Sequence, residues 1–313
     1  MASIEVENLT KKFKKVTAVD GLSFEVASGK VTGFVGPNGA GKTTTMRCLL
    51  DLASPTSGSA TVNGKRYRNL ENPLRTVGTV LEGSSFYPGR TGRDHLRVIG
   101  RTAGVGDKRV DEVLELVGLA PFGNRRTKAY SLGMRQRLAI GAALLADPEV
   151  LVLDEPANGL DPAGIRWMRD LLRYHASQGG LVLISSHVLS EVAMAVDEVV
   201  VIDDGKLVRI ARLDELTRGA EVRSRFKSPA ADRLTELLRR QGATVEVVDE
   251  ALVANVGPEV IGDLAAEHGL ALHELIQETT TLEEAFLALT GDAPGAPGGM
   301  EPATGTEDEV PEL

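Results

Sequence analysis

The stretch GPNGAGKTT, residues 36–44, carries little side-chain bulk and directly follows the apolar run VTGFV at residues 31–35. Three of its nine residues are glycine, and its first eight fit the pattern Gly-x-x-x-x-Gly-Lys-Ser/Thr. Glycines allow such a loop to wrap so that successive backbone N–H groups point inward, at the oxygens of a phosphate. The stretch therefore predicts a loop that binds the phosphates of a nucleotide.

A helix is predicted to begin near Lys42, because Met46, Leu49 and Leu50 recur at helical spacing. The first turn of a helix adds unpaired N–H groups and the positive end of the helix dipole to a phosphate site. We expect the Lys42 ammonium to reach the β- and γ-phosphates as a catalytic group, and the Thr43 hydroxyl to ligate Mg²⁺. The residues predicted to bind the nucleotide here are Gly36, Pro37, Asn38, Gly39, Ala40, Gly41, Lys42, Thr43 and Thr44.

A second stretch, VLVLDEP at residues 150–156, ends in a pair of acids. Its four apolar residues predict a central strand, and ligands of open α/β sheets bind beyond the carboxyl ends of such strands. We expect Asp154 to hold Mg²⁺ through water, and Glu155 to polarise the attacking water as a general base. Together with the glycine-rich loop, the acid pair predicts a P-loop nucleoside triphosphatase.

A third stretch, YSLGMRQR at residues 130–137, precedes a predicted helix. The loop, the acid pair and this stretch, in this order, resemble the ATPase subunit of ATP-binding cassette (ABC) transporters, over about residues 4–218. The family signature is Leu-Ser-Gly-Gly-Gln; this chain keeps Ser131 and Gly133 and departs at Tyr130, Leu132 and Met134. In the family this segment contacts the γ-phosphate bound to the opposite subunit. The resemblance therefore implies ATP and Mg²⁺ as cofactors, a head-to-tail pair of copies, and Ser131 and Gly133 as ATP-binding residues.

Three smaller matches extend the resemblance. His187, in ISSH at residues 184–187, matches the family histidine that steadies the γ-phosphate and the water, which makes it the third catalytic candidate beside Glu155 and Lys42. Phe13 lies where the family stacks an aromatic ring on adenine. The stretch NGLD, residues 158–161, is similar to the family loop that communicates across the dimer.

Glu82, in TVLEG at residues 79–83, is the clearest departure from the family, which usually has Gln at this position. A carboxylate about 5–6 Å from phosphate would cost up to roughly 3 kcal/mol at an effective dielectric near 20. Mg²⁺ could offset this cost by accepting the acid as a ligand. We therefore predict that Glu82 is linked to the metal, as Thr43 and Asp154 are, and that Glu82→Gln shifts the Mg²⁺ dependence of hydrolysis.

The fold class predicted is α/β: a P-loop, ABC-type ATPase core with an antiparallel β subdomain and a helical subdomain, followed by a small α+β domain. Short apolar strands that alternate with helices imply a mostly parallel sheet covered on both faces. The core is predicted over residues 1–219, with the helical subdomain at about 78–145 and helices from about Asp94 and Lys108. The α+β domain is predicted over 220–290, ending in a helix that carries Leu282 and Leu289.

Residues 291–313 are rich in Gly, Pro and acid, and predict a disordered tail. The tail carries six of the acids and no Lys or Arg, so the net charge of −9 falls to about −3 over residues 1–290. That body lacks the basic excess of a duplex-binding protein, so no nucleic-acid partner is expected. The single cysteine, Cys48, excludes an internal disulfide framework. No apolar run approaches the ~18–20 residues that cross a bilayer, so we expect the chain not to span one.

The resemblance implies a separate transmembrane permease as partner and a place at the cytoplasmic face of the membrane. The sequence TLEEAF, residues 281–286, is similar to the C-terminal extension of bacitracin- and daunorubicin-resistance export ATPases, which implies export of a drug, antibiotic or lipid-like compound. A regulatory, non-transport cassette stays open as an alternative, supported by the irregular signature. Cassettes that act on ribosomes usually carry two glycine loops, and DNA-repair cassettes need a long coiled-coil insertion; neither pattern is found here.

Overall fold

The structure is a computed structural model, and it describes residues 2–81, 86–187, 194–213, 215, 223–248 and 251–278. The strands, in chain order, are β1 (Ser3–Phe13), β2 (Val16–Ala27), β3 (Val31–Val35), β4 (Ser57–Val62), β5 (Val77–Val80), β6 (Val150–Leu153), β7 (Leu181–Ser186), β8 (Glu198–Asp203), β9 (Lys206–Arg212), β10 (Arg223–Lys227), β11 (Val245–Val248), β12 (Ala251–Ala254) and β13 (Glu274–Glu278).

The α-helices are α1 (Lys42–Leu49), α2 (Pro73–Thr76), α3 (Gly92–Thr102), α4 (Asp107–Leu116), α5 (Leu132–Leu144), α6 (Pro162–Ser177), α7 (Ala231–Arg240) and α8 (Pro258–Glu267). Short 3₁₀ turns occupy Tyr67–Asn69, Ala120–Phe122 and Thr127–Ala129. In the part of the chain that the structure describes, no helix is both long enough and apolar enough to cross a membrane.

The central sheet has the strand order β5-β6-β7-β3-β8-β9. All neighbours run parallel except β8 and β9. Every residue of β3, β6 and β7 is buried, which is why these strands read as continuous apolar runs. Helices α5 and α6 pack on one face, while α1 and a three-stranded antiparallel sheet, β2-β1-β4, pack on the other. The predicted α/β class with an antiparallel β subdomain is confirmed.

The sequence does not predict strand β5, because residues 78–80 fall at the start of the predicted helical subdomain. The strand is only four residues long, contains a glycine and runs into a segment rich in Gly, Ser and Pro, so loop signals dominated. Gly78 is there for a packing reason: a Cβ at this position would lie 2.2 Å from the Ala143 carbonyl oxygen of α5. The sheet thus extends one strand beyond β6 and passes directly beneath α5.

The helical subdomain contains α3, α4 and α5. Helix α3 begins close to the start predicted near Asp94, and α4 begins close to the start predicted near Lys108. Its core is a cluster of apolar side chains from all three helices and from the segment before α5: Leu96, Val110, Val113, Leu114, Val117, Leu119, Tyr130, Leu138 and Leu145. This cluster positions the amino-terminal end of α5.

Residues 223–278 contain a four-stranded antiparallel sheet in the order β11-β12-β10-β13, with α7 and α8. Phe226 on β10, Leu234 and Leu238 on α7, and Ile261 and Leu264 on α8 form its apolar core. Its last described strand, β13, pairs with β10 at the edge of this sheet. The predicted last helix, at residues 282–289, and the acidic tail lie outside the described residues.

Candidate functional site

The glycine-rich loop joins the end of β3 to the start of α1. Gly39 and Gly41 have φ angles of 87° and 99°, in the left-handed region that glycine tolerates best. Gly36 and Gly41 also lie against the backbone: a Cβ would come within 2.4 Å of the carbonyl oxygens of Ile202 and Ala18, respectively. Both backbone torsion and close packing therefore require glycine in this loop, independently of any ligand.

Lys42 lies inside the curve of the loop. Its side chain is buried, and its Nζ donates to the carbonyl oxygens of Gly36 at 2.6 Å and Pro37 at 3.1 Å. The loop thus surrounds a buried ammonium with carbonyl oxygens, and a cation in this position attracts an anion. The lysine is therefore in place to meet the terminal phosphates that the sequence pattern predicts for it.

Asp154 follows β6 and lies across from the loop, with its residue 2% exposed. Its Oδ2 accepts a hydrogen bond from the Thr43 hydroxyl at 2.7 Å, and its Oδ1 accepts a short one from the Ser185 hydroxyl. Two of the three predicted metal ligands, Thr43 and Asp154, are thus already in contact. Oxygen donors of this kind suit Mg²⁺, which proteins usually hold with one or two carboxylates plus substrate phosphates. Among the described residues no cluster of three His, Cys, Asp or Glu side chains forms a metal cage of its own.

Glu155 and His187 form the second half of the site. The Nδ1 atom of His187 lies 3.0 Å from Oε2 of Glu155, and their side chains are 38% and 14% exposed. Glu155 has a φ angle of 48°, in the left-handed region that few non-glycine residues adopt. Such strained conformations persist only where the surroundings hold them, and they cluster at functional sites.

A cavity of about 370 Å³ collects these groups in one place. Its lining combines backbone from the loop with the acid, the histidine and one residue of the loop after β6: Asn38, Gly39, Gly41, Lys42, Thr43, Thr44, Glu155, Asn158 and His187. Gly36, Pro37 and Ala40 belong to the loop but do not line the cavity. The sequence pattern indicates no ligand role for Asn158, although the residue lines the cavity.

Ser131 and Gly133 do not line this cavity; they lie at the amino-terminal end of α5. Ser131 caps the helix, its hydroxyl accepting from the Met134 N–H at 3.2 Å. A Cβ on Gly133 would lie 2.9 Å from the Gly159 carbonyl oxygen, so this end of α5 packs against the loop that follows Glu155. Gln136 reinforces the contact by donating to the Pro156 carbonyl at 3.0 Å.

Tyr130, the first departure from the family signature, lies in the core of the helical subdomain. It is 4% exposed and donates to the Phe122 carbonyl at 2.8 Å. Burial raises the pKa of its phenol, an effect that nearby Arg125 partly opposes. Tyr130 therefore acts as a core residue. A tyrosine at this position does not alter the exposed Ser131 that follows it.

Phe13 stands at the end of β1, half exposed, with the Lys11 ammonium 4.7 Å from its ring centroid. It does not line the cavity, so its stacking on adenine stays a prediction. Glu82 lies outside the described residues, and its link to the metal likewise stays a prediction. Ser185 contacts both acids and was missed, because its role depends on the order of the strands.

The fold and the site together define a P-loop nucleoside triphosphatase. Comparison with known proteins shows which family of P-loop nucleoside triphosphatases the chain resembles. The family model for ABC transporters matches residues 19–158, and a model described as a domain of unknown function matches residues 221–283.

Several relatives match nearly the whole chain, as two examples show. The bacitracin transport ATP-binding protein BcrA of Bacillus licheniformis is 36% identical over 297 residues, covering 92% of this chain and 97% of its own. The daunorubicin resistance ATP-binding protein DrrA3 of Streptomyces coeruleorubidus is 33% identical over 304 residues, covering 93% and 96%.

A dimeric ATP-binding cassette, MJ0796, solved in a post-hydrolysis state with ADP and Pi, superposes with a TM-score of 0.62 at 22% identity. It covers 67% of this chain and 98% of its own; at this identity the likeness shows the fold. The chain belongs to the ATP-binding subunits of ABC transporters. It is an ATPase, and cassettes of this family form dimers.

Proposed function

We propose that this chain powers export through a separate transmembrane permease, at the cytoplasmic face of the membrane, as a head-to-tail pair of copies. The observation that carries the proposal is the convergence of Lys42, Glu155 and His187 on one cavity. Ser131 and Gly133 lie outside that cavity, so a second copy is needed to bring them to the ATP.

Mg²⁺ would be held by the Thr43 hydroxyl and the Asp154 carboxylate, and it would neutralise charge between the phosphates of ATP. The loop N–H groups and Lys42 orient the phosphates. Glu155 takes a proton from the attacking water, and His187, 3.0 Å from its carboxylate, fixes that carboxylate and steadies the γ-phosphoryl group. Most of the acceleration then comes from positioning and charge stabilisation rather than from covalent chemistry.

Ser131 and the free N–H groups at the start of α5 would meet the γ-phosphate held by the other copy, because a helix amino terminus favours an anion. ATP would close the pair, and hydrolysis with phosphate release would open it. The helical subdomain would pass this movement to the permease. Residues 220–290 carry no assigned role in this scheme.

Export of a drug, antibiotic or lipid-like compound is supported by the relatives, whose names specify bacitracin transport and daunorubicin resistance. Their similarity extends over more than nine tenths of the chain, including the segment beyond the ATPase core. A regulatory cassette was supported only by the irregular signature. Because Tyr130 is a buried core residue, that support is weakened.

Co-purification from membranes tests the proposal. The full-length chain, tagged and expressed with its membrane subunit, is expected to retain that subunit in detergent. ATP hydrolysis by the complex should rise when the transported compound is added, with bacitracin and daunorubicin as the first probes. A chain that hydrolyses ATP but never captures a membrane subunit would contradict the transport role and favour the regulatory one.

A further inference from the structure

Ser185 is a fully buried serine at the carboxyl end of β7, the strand between β6 and β3. Strand β6 leads to the acid pair and strand β3 leads to the glycine-rich loop. Ile184 is level with Leu153 on β6, so Ser185 lies one step further along, beside Asp154. Its position in the sheet therefore places a hydroxyl between the two halves of the nucleotide site.

The Ser185 hydroxyl uses both of its hydrogen-bonding capacities on the acid pair. It donates a short hydrogen bond to Oδ1 of Asp154 and accepts from the backbone N–H of Glu155 at 2.9 Å. A serine hydroxyl has one donor and can accept as well, so one side chain satisfies a carboxylate and an amide together. Buried groups that lose such a partner are costly, because no water replaces it.

The hydrogen bond that Ser185 accepts comes from Glu155, the residue of the site whose backbone is strained. Glu155 has its φ angle at 48°, and a non-glycine residue keeps that conformation only when its surroundings hold it. Its amide bonds to Ser185, and its carboxylate lies against His187. The direction of the Glu155 side chain therefore depends on the Ser185 bond at one end and the His187 contact at the other.

The bond to Asp154 acts on the metal side. Thr43 holds one oxygen of the carboxylate and Ser185 holds the other. If Thr43 turns toward Mg²⁺, as its proposed role requires, Ser185 remains as the partner that fixes the rotation of the Asp154 carboxylate.

We propose that Ser185 is a positioning residue that aligns both acids of the ATPase site, Asp154 for Mg²⁺ and Glu155 for the attacking water. The proposal rests on the roles proposed above for those two acids. It predicts a specific pattern: loss of the hydroxyl impairs the metal-dependent and catalytic steps, while the loop still binds ATP, because Ser185 touches none of the loop amides.

Ser224 on β10 provides a matched control. It is also fully buried in a strand, and its hydroxyl donates to the Val256 carbonyl at 2.7 Å, in a sheet that does not form the nucleotide site. Ser185→Ala and Ser224→Ala therefore delete the same group from equally buried positions. A general cost of losing a buried hydrogen bond appears in both variants, and a positioning role appears only in the first.

The experiment compares the full-length wild type with Ser185→Ala, Ser185→Cys and Ser224→Ala. Binding of a fluorescent ATP analogue is titrated in EDTA and then against MgCl₂, and phosphate release gives kcat and KM. For Ser185→Ala we expect binding in EDTA within about twofold of wild type, a half-saturating Mg²⁺ concentration raised about threefold or more, and kcat lowered about tenfold. Ser185→Cys keeps only a weak donor and acceptor on a larger atom, so it should recover at most a small part of both losses.

Ser224→Ala should keep kcat and Mg²⁺ dependence within about twofold of wild type even if its melting temperature falls. The proposal is overturned if Ser185→Ala matches wild type in both measurements, or if Ser224→Ala shows the same losses. Glu155→Gln and Asp154→Asn are measured in parallel. If they are impaired while Ser185→Ala is not, the Ser185 role alone fails; if they too behave as wild type, the proposed roles of the acids fail with it.

Discussion

Gly41 combines a backbone conformation and a close approach that both exclude a side chain. Its φ angle is 99°, and a Cβ would lie 2.4 Å from the Ala18 carbonyl oxygen. Gly41→Ala should therefore lower the free energy of unfolding by about 3 kcal/mol, the sum of left-handed strain and overpacking. Urea unfolding of the full-length chain measures this loss.

Gly39 is the natural control for that prediction. Its φ angle is 87°, but a Cβ there would meet no atom within 4 Å. Gly39→Ala should cost only the torsional part, about 1 kcal/mol. Equal losses for the two variants would show that the contact with Ala18 does not limit residue 41.

Glu155→Gln separates binding from chemistry. The amide keeps the size of the side chain and can still contact His187, but it cannot accept a proton from water. We expect affinity for ATP within about twofold of wild type and kcat lower by at least about 10²-fold. A fluorescent ATP analogue and phosphate release provide the two numbers, and near-normal turnover would remove Glu155 from the role of base.

At the scale of single residues, the sequence predicted the glycine-rich loop but not the residues that support the acid pair. Gly36, Lys42 and Thr43 belong to a sequence pattern whose spacing follows from the geometry of the loop. Ser185 could not be found in the same way. Its partners lie about 30 positions earlier, and only the placement of β7 between β6 and β3 brings the hydroxyl to them.

Arg137 on α5 packs over the ring of Trp167 on α6. Trp167 on α6 packs against the core on one side and the helical subdomain on the other. Its indole N–H donates to the Leu116 carbonyl at 3.2 Å, and the guanidinium of Arg137 on α5 covers its ring at 4.2 Å. Arg137 also donates to the Val117 carbonyl at 3.3 Å.

Arg137→Ala should lower the free energy of unfolding by about 1–2 kcal/mol, from the cation–π contact and the hydrogen bond. It should also uncover Trp167, the only tryptophan of the chain, and shift its fluorescence emission to longer wavelength. Arg135→Ala is the control, since Arg135 lies on the same helix, is exposed and makes only a 3.5 Å contact with the Lys128 carbonyl. An unshifted emission in Arg137→Ala would mean that the arginine does not shield the ring.

Helices and strands with a clear pattern of apolar residues were predicted from the sequence. Elements that depend on tertiary contacts were not. Strand β6 has the predicted bounds, and α1 begins at the predicted Lys42. Strand β5 was missed because its glycine is explained by α5 above it, a contact that no local pattern carries. The strand order of the central sheet is equally nonlocal, since β3 pairs with β7 and β8 across more than a hundred residues.

At the scale of the whole molecule, the cavity of one copy is lined in part by solvent-exposed residues, among them Asn158 and His187. The exposed Ser131 stands at the start of another helix of the same chain, outside that cavity. The proposed head-to-tail pair would resolve this separation, because each copy would contribute its loop to one site and its Ser131 to the other. Two different lesions should therefore complement each other in a mixed dimer.

Mixing Lys42→Ala with Ser131→Asp tests this arrangement. Asp is an effective helix cap and suits a helix amino terminus, so α5 should stay folded, while its charge should repel the γ-phosphate. Each variant alone should hydrolyse ATP at least about tenfold more slowly than wild type. In an equal mixture roughly half of the pairs are mixed and each mixed pair has one intact site, so activity should recover to roughly a quarter of wild type. Ser131→Asn, a neutral cap, should keep far more activity than Ser131→Asp. A mixture no more active than its components would show that the loop and Ser131 of one chain do not complete sites across a pair.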